Sequence, residues 1–170
     1  VDPPRNWEVR LVPHLIARGC RPAGFRCVWY RDVPLRAGEQ VDVSSIRRFA
    51  PEQTDQYAAM LGETWPQERC LRESWPGLYR YIAMEGGRPA ARGELHVHGQ
   101  IGYLAYWETF AEYRGRGLQR IGIYARIADA FDLGCSLVFT VSDFNFASPR
   151  NLQACGMCLA YNYLVLQRDP

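Results

Sequence analysis

Lysine is absent from the sequence. All 20 basic residues are arginines, and 18 acidic residues oppose them, so the formal net charge is only +2. A charge this small, with no basic stripe along the chain, argues against a nucleic acid as the partner. Long hydrophobic runs are absent as well. None approaches the roughly 20 residues that span a bilayer, so we expect no membrane association.

Cysteine is too sparse for a disulfide scaffold in a chain of 170 residues. Cys155 and Cys158 form a Cys-x-x-Cys pair, but they follow a predicted helix, whereas a redox pair places its first thiol at a helix N-terminus. The sequence has no second pair with zinc spacing. We therefore interpret the cysteines as packing residues and predict no metal site, with a redox or metal role as the alternative.

The residues that are present fit a globular domain of ordinary size. Hydrophobic residues make up 48% of the chain and charged residues 22%, a balance that supports a core and excludes a disordered chain. The first residues show no basic segment followed by an apolar one, so we expect a cytoplasmic protein.

From residue 41 onward, turn residues and apolar periodicity predict the order β-α-α-β-β-β-α-β-α-β. Three of the strands are joined by two tight turns and form an antiparallel meander. A long helix follows and ends at Gly134. The predicted strands cover 41–49, 78–85, 91–98, 101–110, 136–141 and 159–167, and the predicted helices begin near 51, 67, 118 and 147.

Residues 1–40 are predicted to form an extension, with a helix and a strand, ahead of a domain over 41–170. Shifted by 137 positions, the segment 15–32 meets 152–169 with seven identities in eighteen positions and no gap. An old duplication explains this match, in which the extension is the last helix and strand of a preceding copy. The alternative is two unrelated helix–glycine–strand units of similar composition.

The segment 114–120 reads Arg-Gly-Arg-Gly-Leu-Gln-Arg and lies between a predicted strand and the long helix. Gly115 and Gly117 allow a tight turn that exposes amide N–H groups at the helix N-terminus, where the partial positive charge favours anions. This arrangement predicts a cradle for a pyrophosphate, and a plain helix start is the alternative. The segment is neither a Walker A loop nor a dinucleotide fingerprint.

This loop and the order of elements resemble the GCN5-related N-acetyltransferase (GNAT) superfamily over residues 41–170. The family carries Arg/Gln-x-x-Gly-x-Gly/Ala at this junction. Arg114, Gly117 and Gln119 stand at these positions, although Gln119 replaces the usual small residue, so its side chain must turn away from the phosphates. The resemblance implies an α/β (α+β) fold, with a mixed, mostly antiparallel sheet flanked by helices and two strands splayed around an acyl-CoA wedge. With the duplication, the chain resembles the C-terminal part of a tandem GNAT protein.

The resemblance implies an N-acyltransferase that takes its acyl group from CoA, with acetyl-CoA as the expected co-substrate. The acceptor would be a primary amine of a small molecule or an amino terminus, which attacks the thioester directly. The alternative is a catalytically silent domain that binds acyl-CoA or regulates. Family members often dimerise, so a homodimer is one expected state. The absence of lysine fits a GC-rich coding sequence or an enzyme that avoids acylating its own lysines.

The resemblance also implies where CoA binds. Its pantetheine would lie along the strand before the loop, its pyrophosphate on the loop amides, and the helix after residue 147 on the other side. The implied binding residues are Trp107, Thr109, Phe110, Arg114, Gly115, Arg116, Gly117, Leu118, Gln119, Arg120, Asn145, Ser148 and Asn151.

The catalytic residues are less closely specified. Glu108 is the first candidate base, directly or through water, and a rim carboxylate paired with an arginine is the alternative. Tyr103 is the second candidate, and strand parity predicts it on the opposite face from Glu108. Many family members protonate the leaving thiolate with a tyrosine, but Leu152 stands at that position here. Tyr161, Tyr163 or water would then substitute, or the thiolate would leave unassisted.

Aromatic residues predict the character of the acceptor cavity. Trp65, Trp75 and Trp107 fall near the expected acceptor side, so we expect that cavity to be apolar or aromatic. His96 and His98 alternate along one strand and share a face. We interpret them as part of a solvated strand face, because the sequence shows no third ligand for a metal.

Overall fold

The computed structural model describes residues 7–39, 41–62, 74–144 and 147–168. This part of the chain contains seven strands and four α-helices. The strands are β1 (Cys20–Arg31), β2 (Ile46–Phe49), β3 (Leu78–Glu85), β4 (Arg88–His98), β5 (Ile101–Thr109), β6 (Leu137–Asp143) and β7 (Cys158–Arg168). The helices are α1 (Trp7–Ala17), α2 (Thr54–Leu61), α3 (Leu118–Asp132) and α4 (Ser148–Ala154).

All seven strands join one sheet in the order β2-β3-β4-β5-β6-β1-β7. Among the described strands only β5 and β6 run parallel, and the other neighbours are antiparallel. The predicted mixed, mostly antiparallel sheet is therefore confirmed, including the meander of β3, β4 and β5. The strand predicted over 41–49 is shorter, because a turn precedes Ile46. Most of the second predicted helix, over 67–75, lies outside the described residues.

Helix α3 covers one face of the sheet and supplies most of the core. Ile123 and Ile127 pack there against Leu95, Leu104 and Val138, all of them almost fully buried. The apolar face of α3 follows from the sequence, since the helix has an apolar residue at every third or fourth position. A smaller cluster of Phe49, Tyr57, Ala58, Leu61 and Ile82 lies under helix α2. The sheet thus carries a helix on each face.

Strand β1 lies inside the sheet, between β6 and β7, although it was predicted as part of an extension. Its register with β7 bears on the internal repeat, because Arg26 pairs with Tyr163, which lies 137 positions later. This is the same offset that relates 15–32 to 152–169. The two repeat-related strands, β1 and β7, therefore pair antiparallel, with Arg26 opposite the residue at its own repeat position, Tyr163. Two copies related by a local twofold axis would pair in this way. The duplication itself stays a prediction.

Arg31, at the end of β1, joins three segments that are distant in sequence. Its side chain is buried, and it donates two hydrogen bonds to Glu39, with the shorter one at 2.6 Å. It also donates to the carbonyls of Cys155 and Gly156, in the turn between α4 and β7. The Arg31 guanidinium and the Arg36 amide hold the pKa of Glu39 at about 2, below its ordinary value of 4.5.

This shift predicts how stability depends on pH. Because the folded pKa of Glu39 is lowered, its contribution is complete above about pH 4.5 and is lost as the pH falls towards 2. We expect Glu39→Gln to lower the free energy of unfolding at pH 7 and to flatten the wild-type decline between pH 4.5 and 2, as measured by urea unfolding at each pH. Glu52→Gln, on the exposed surface, serves as the control. Parallel declines in the wild type and Glu39→Gln would contradict this assignment.

Candidate functional site

The site lies where β5 and β6 part. The two strands pair only at 101–103 with 137–139. Just beyond, the Thr140 hydroxyl donates to the carbonyl of Leu104 at 2.7 Å, and the strands then separate. A cavity of about 190 Å³ opens between them. It is lined by Leu104, Tyr106, Trp107, Gln119, Ile123, Arg126, Thr140, Val141, Ser142, Asp143, Ser148 and Leu152.

A second cavity, of about 810 Å³, adjoins the first at the N-terminus of α3. The two cavities share Tyr106, Trp107, Gln119 and Ser148 in their linings. Gly115 and Gly117 both have φ of +78°, a left-handed conformation that glycine adopts without strain. The first amides of α3 have no acceptor within the helix and lie at its positive end. The wedge and the cavity at the glycine loop thus form one continuous cleft.

The arginines of the cradle brace the loop. Arg116 forms an ion pair with Glu85 and donates to the carbonyl of Glu112 at 3.0 Å, and its guanidinium lies over the Tyr113 ring. The Arg114 Nε donates to the carbonyl of Thr109 at 3.3 Å. Arg120, in the first turn of α3, is exposed. Arg114 and Arg116 line the second cavity, and both guanidinium groups also hold the loop through these contacts.

Gln119, the departure from the family pattern, connects α3 to α4. Its amide nitrogen donates to the Ser148 hydroxyl at 3.0 Å, and its oxygen accepts from the Asn151 amide at 2.6 Å. The side chain therefore bonds to α4, on the far wall of the cleft. The structure brings these three predicted binding residues together, whereas Asn145 lies outside the described residues.

A β-bulge in β5 corrects the predicted relation between the two candidate catalytic residues. Gly93 pairs with Trp107 and Glu94 with Ala105, so Tyr106 is an extra residue with no partner of its own. One extra residue inverts the alternation of side chains that follows it. Tyr103 and Glu108 consequently lie on the same face of the sheet, which strand parity alone could not predict.

Glu108 forms an ion pair with Arg92 at 3.1 Å and accepts a hydrogen bond of 2.7 Å from the Tyr106 hydroxyl. Arg92 is itself buried and donates to that same hydroxyl. Desolvation first, and the bond to Glu108 second, raise the pKa of Tyr106 above its ordinary value. Glu108 thus belongs to a three-residue network with Arg92 and Tyr106 at the mouth of the wedge. This is the geometry of a rim carboxylate paired with an arginine, which was the alternative to a catalytic base.

Tyr103 belongs to an aromatic row on the same face. Its ring stacks on Phe139 at 4.8 Å and meets the His96 ring edge-on at 5.7 Å. Trp75 meets the other side of His96, at 5.2 Å, and Glu94 lies 3.0 Å from the His96 Nε2. Burial raises the pKa of Tyr103. The face opposite α3 therefore presents aromatic rings with two carboxylates, those of Glu94 and Glu108.

Trp107 lies on the other side of the sheet, away from this aromatic row. Its indole occupies a slot between Gly93 and Gly122, where a Cβ on either glycine would overlap the ring. The Arg126 guanidinium lies 4.8 Å from the ring centre. Trp107 therefore does not form the acceptor side with Trp75, and Trp65 lies outside the described residues. The sequence signal for this slot was a glycine within a predicted strand, Gly93, and one within a predicted helix, Gly122.

In the described part of the chain, the cleft has neither the family's usual thiolate acid nor the two tyrosines proposed to replace it. Leu152 is buried and lines the wedge. Tyr161 and Tyr163 lie on β7, the edge strand, with β6 and β1 between them and β5, and neither lines the two cavities. Sequence reasoning missed Arg92, Tyr106 and Arg126, because each acquires its role through the bulge.

The cysteines and histidines of the described residues form no cluster with metal-ligand geometry. No group of three or more His, Cys, Asp or Glu side chains there could hold a metal. The five cysteines of this part are free thiols, and burial raises the pKa of Cys155. None of the described helices is both long enough and apolar enough to cross a bilayer.

Comparison with known proteins agrees with this geometry. The profile of the Acetyltransferase (GNAT) family matches residues 46–157, more than half of the chain. The chain belongs to the GNAT family. The match includes the meander, the cradle, α3, β6 and α4. A search of curated proteins finds no match.

Solved GNAT structures share the fold at low sequence identity. A GCN5-related N-acetyltransferase from Sphaerobacter thermophilus has a TM-score of 0.71 at 16% identity and covers 93% of this chain. One from Kribbella flavida has a TM-score of 0.65 at 14% identity and covers 94%. The chain spans only 55% and 64% of those two proteins. Aminoglycoside N-acetyltransferase AAC(6')-Iy, solved with CoA, has a TM-score of 0.53 at 18% identity; the match covers 74% of this chain and 98% of that protein.

The indole slot yields a stability prediction. An alanine in place of an interior helical glycine ordinarily stabilises a helix by roughly 0.5–1 kcal/mol. Here we expect Gly122→Ala to destabilise the protein instead, by about 1–3 kcal/mol, because the new Cβ overlaps the Trp107 ring. Chemical unfolding measures the effect. Gly38→Ala is the matched control, since no atom lies within 4 Å of its added Cβ.

A double-mutant cycle tests the cause of that loss. Combined with Trp107→Leu, the alanine at 122 should no longer carry its penalty, because the ring that it meets is gone. A penalty that persists without the indole would show that another contact is responsible.

Proposed function

We propose that this GNAT protein is an acyl-CoA-dependent N-acyltransferase that uses acetyl-CoA and a primary amine. The observation that carries this proposal is the continuity of the wedge between β5 and β6 with the cradle at the start of α3. A thioester with a long arm and a pyrophosphate has this shape and charge distribution. The membership of the family supports acyl transfer in general.

In this proposal each part of CoA binds a different part of the cleft. The pyrophosphate binds the amides around Gly117 at the positive end of α3. The pantetheine arm lies along 107–110, against the wall formed by Ser148 and Asn151. The amine nitrogen attacks the thioester carbonyl carbon, the C–S bond breaks, and CoA leaves as the thiolate. Positioning of the two reactants lowers the barrier without a covalent enzyme intermediate.

The proton of the attacking amine needs an acceptor on the side opposite α3. Glu108 remains our first candidate, through water, since its ion pair with Arg92 fixes the carboxylate at the mouth of the wedge. Tyr103 is the second candidate, now on the same face. The acceptor amine would approach over the aromatic row between Trp75 and Phe139. The carboxylates of Glu94 and Glu108 on this face are paired with Arg80 and Arg92.

A second function is supported by a specific observation. Leu152 occupies the position of the usual thiolate acid, and neither Tyr161 nor Tyr163 lines the cleft. A domain that binds acyl-CoA without turnover would have this arrangement. Release of CoA thiol in the presence of any amine from a varied panel supports the enzyme. Binding without release from every amine supports the silent domain.

Binding is tested by thermal melting with acetyl-CoA. At 100 times the dissociation constant, a ligand adds about 2.7 kcal/mol to the stability of the folded state. For a chain of this size we expect the melting temperature to rise by roughly 5–10 °C. No rise at millimolar acetyl-CoA would contradict the proposed cleft.

The cradle is tested at Gly117. Gly117→Glu places a carboxylate at the anion site, and we expect it to abolish CoA binding measured by titration calorimetry. Gly117→Ala is the matched control, because it introduces the same strain at φ of +78° without charge or bulk. We expect alanine to weaken binding far less than glutamate. If the wild type and Gly117→Glu bind CoA with equal affinity, the pyrophosphate does not bind at this loop.

A further inference from the structure

A hydrogen-bonded bridge crosses the cleft from α3 to α4. Gln119, in the first turn of α3, donates from its Nε2 to the Ser148 hydroxyl at 3.0 Å and accepts at its Oε1 from the Asn151 amide at 2.6 Å. Gln119 and Ser148 line both cavities, and Asn151 lines the larger one. The bridge therefore lies where the wedge meets the cavity at the glycine loop.

The bridge occupies the wall that the proposed ligand needs. In the proposed binding mode the pantetheine arm lies against Ser148 and Asn151, yet both side chains already bond to Gln119. All three residues are partly buried, so water replaces these bonds only in part. Each net hydrogen bond changes an equilibrium by roughly two- to tenfold. A ligand that uses this wall therefore has to replace the two bonds of the bridge.

The chemistry of the bridge matches that of the pantetheine arm. The carboxamide of Gln119 carries a carbonyl acceptor and N–H donors. The arm carries secondary amides, each with one carbonyl and one N–H. An amide of the arm can thus accept from the Asn151 amide, or donate to the Ser148 hydroxyl, in place of the glutamine. In the free protein, Gln119 therefore presents to α4 the same groups as the ligand.

Helix α4 does not depend on the bridge alone for its position. Its C-terminal end is tied to α3 separately, because the Tyr124 hydroxyl donates to the carbonyl of Ala154 at 3.2 Å. Leu152 is only 5% exposed and packs into the main core. Loss of the Gln119 side chain would consequently free its two partners on α4 without releasing that helix.

We propose that Gln119 competes with CoA for α4. Its carboxamide holds Ser148 and Asn151 in the free protein, and an amide of the pantetheine arm displaces it when CoA binds. The inference rests on the proposed function and concerns the binding of its co-substrate. When a binding-competent form is only partly populated, the apparent affinity falls by that fraction. Gln119 thereby lowers the affinity for CoA, whereas a small residue at this position could not reach α4.

Titration calorimetry with CoA and with ADP tests the competition. ADP carries a pyrophosphate but lacks the pantetheine arm. We expect Gln119→Ala to bind CoA roughly three- to tenfold more tightly than the wild type and to bind ADP with unchanged affinity, because only the arm meets the bridge. Gln153→Ala, which removes an exposed glutamine from α4, is the matched control and should leave both affinities unchanged. Unchanged or weaker CoA binding by Gln119→Ala would overturn the inference, as would an equal gain for ADP.

A double-mutant cycle assigns the gain to the shared partner. In an Asn151→Ala background, Gln119→Ala should tighten CoA binding by a smaller factor, because one bond of the bridge is already lost. A gain of the same size in both backgrounds would contradict a competition for Asn151.

A measurement on the wild type alone covers the case in which Gln119→Ala fails to fold. In ¹⁵N-labelled protein, the side-chain amide protons of Gln119 should exchange with water faster at saturating CoA than in the free protein, and ADP should leave that exchange unchanged. An unchanged exchange rate with CoA bound would show that the bridge stays closed and would overturn the inference. Failure of the wild type to bind CoA would instead overturn the proposed function.

Discussion

The parting of β5 from β6 after three paired residues determines the rest of the architecture around the cleft. A sheet whose neighbouring strands stayed paired would have no room for a ligand between them. Two features enforce the separation on the β5 side. The Thr140 hydroxyl takes the carbonyl of Leu104 at the last point of contact, and the bulge at Tyr106 then turns the strand away. Arg126 holds that bulge from below, so one buried guanidinium links the helix, the strand and the opening.

The same helix contributes at both of its ends. Its N-terminus supplies the proposed anion cradle, while Gly122 in its second turn and Arg126 in its third contact the Trp107 ring and the bulge carbonyls. Binding of an anion and placement of a carbonyl would therefore be coupled through a rigid element. On the opposite wall, Gln119 ties α3 to Ser148 and Asn151, which keeps α4 at a fixed distance across the cleft.

Local patterns in the sequence predicted the meander, the long helix and the glycine turn, because turns and periodicity are encoded within a few residues. The position of β1 between β6 and β7 could not be predicted, since strand pairing over more than 100 residues leaves no local pattern. The relation between Tyr103 and Glu108 was predicted wrongly for a related reason: a bulge alters parity, and only Gly93 hinted at it. Arg126 was indistinguishable from a surface arginine of an amphipathic helix until the fold brought the carbonyls of Glu94, Ala105 and Tyr106, in β4 and β5, to its side chain.

In the proposed function an acyl-CoA lies between β5 and β6 with its pyrophosphate on α3. A crystal structure with CoA tests this most directly. We predict the pyrophosphate on the amides around Gly117 and the pantetheine along 107–110, with the sulfur beside the amides of the Tyr106 bulge. CoA bound elsewhere on the sheet, with an empty wedge, would contradict the account.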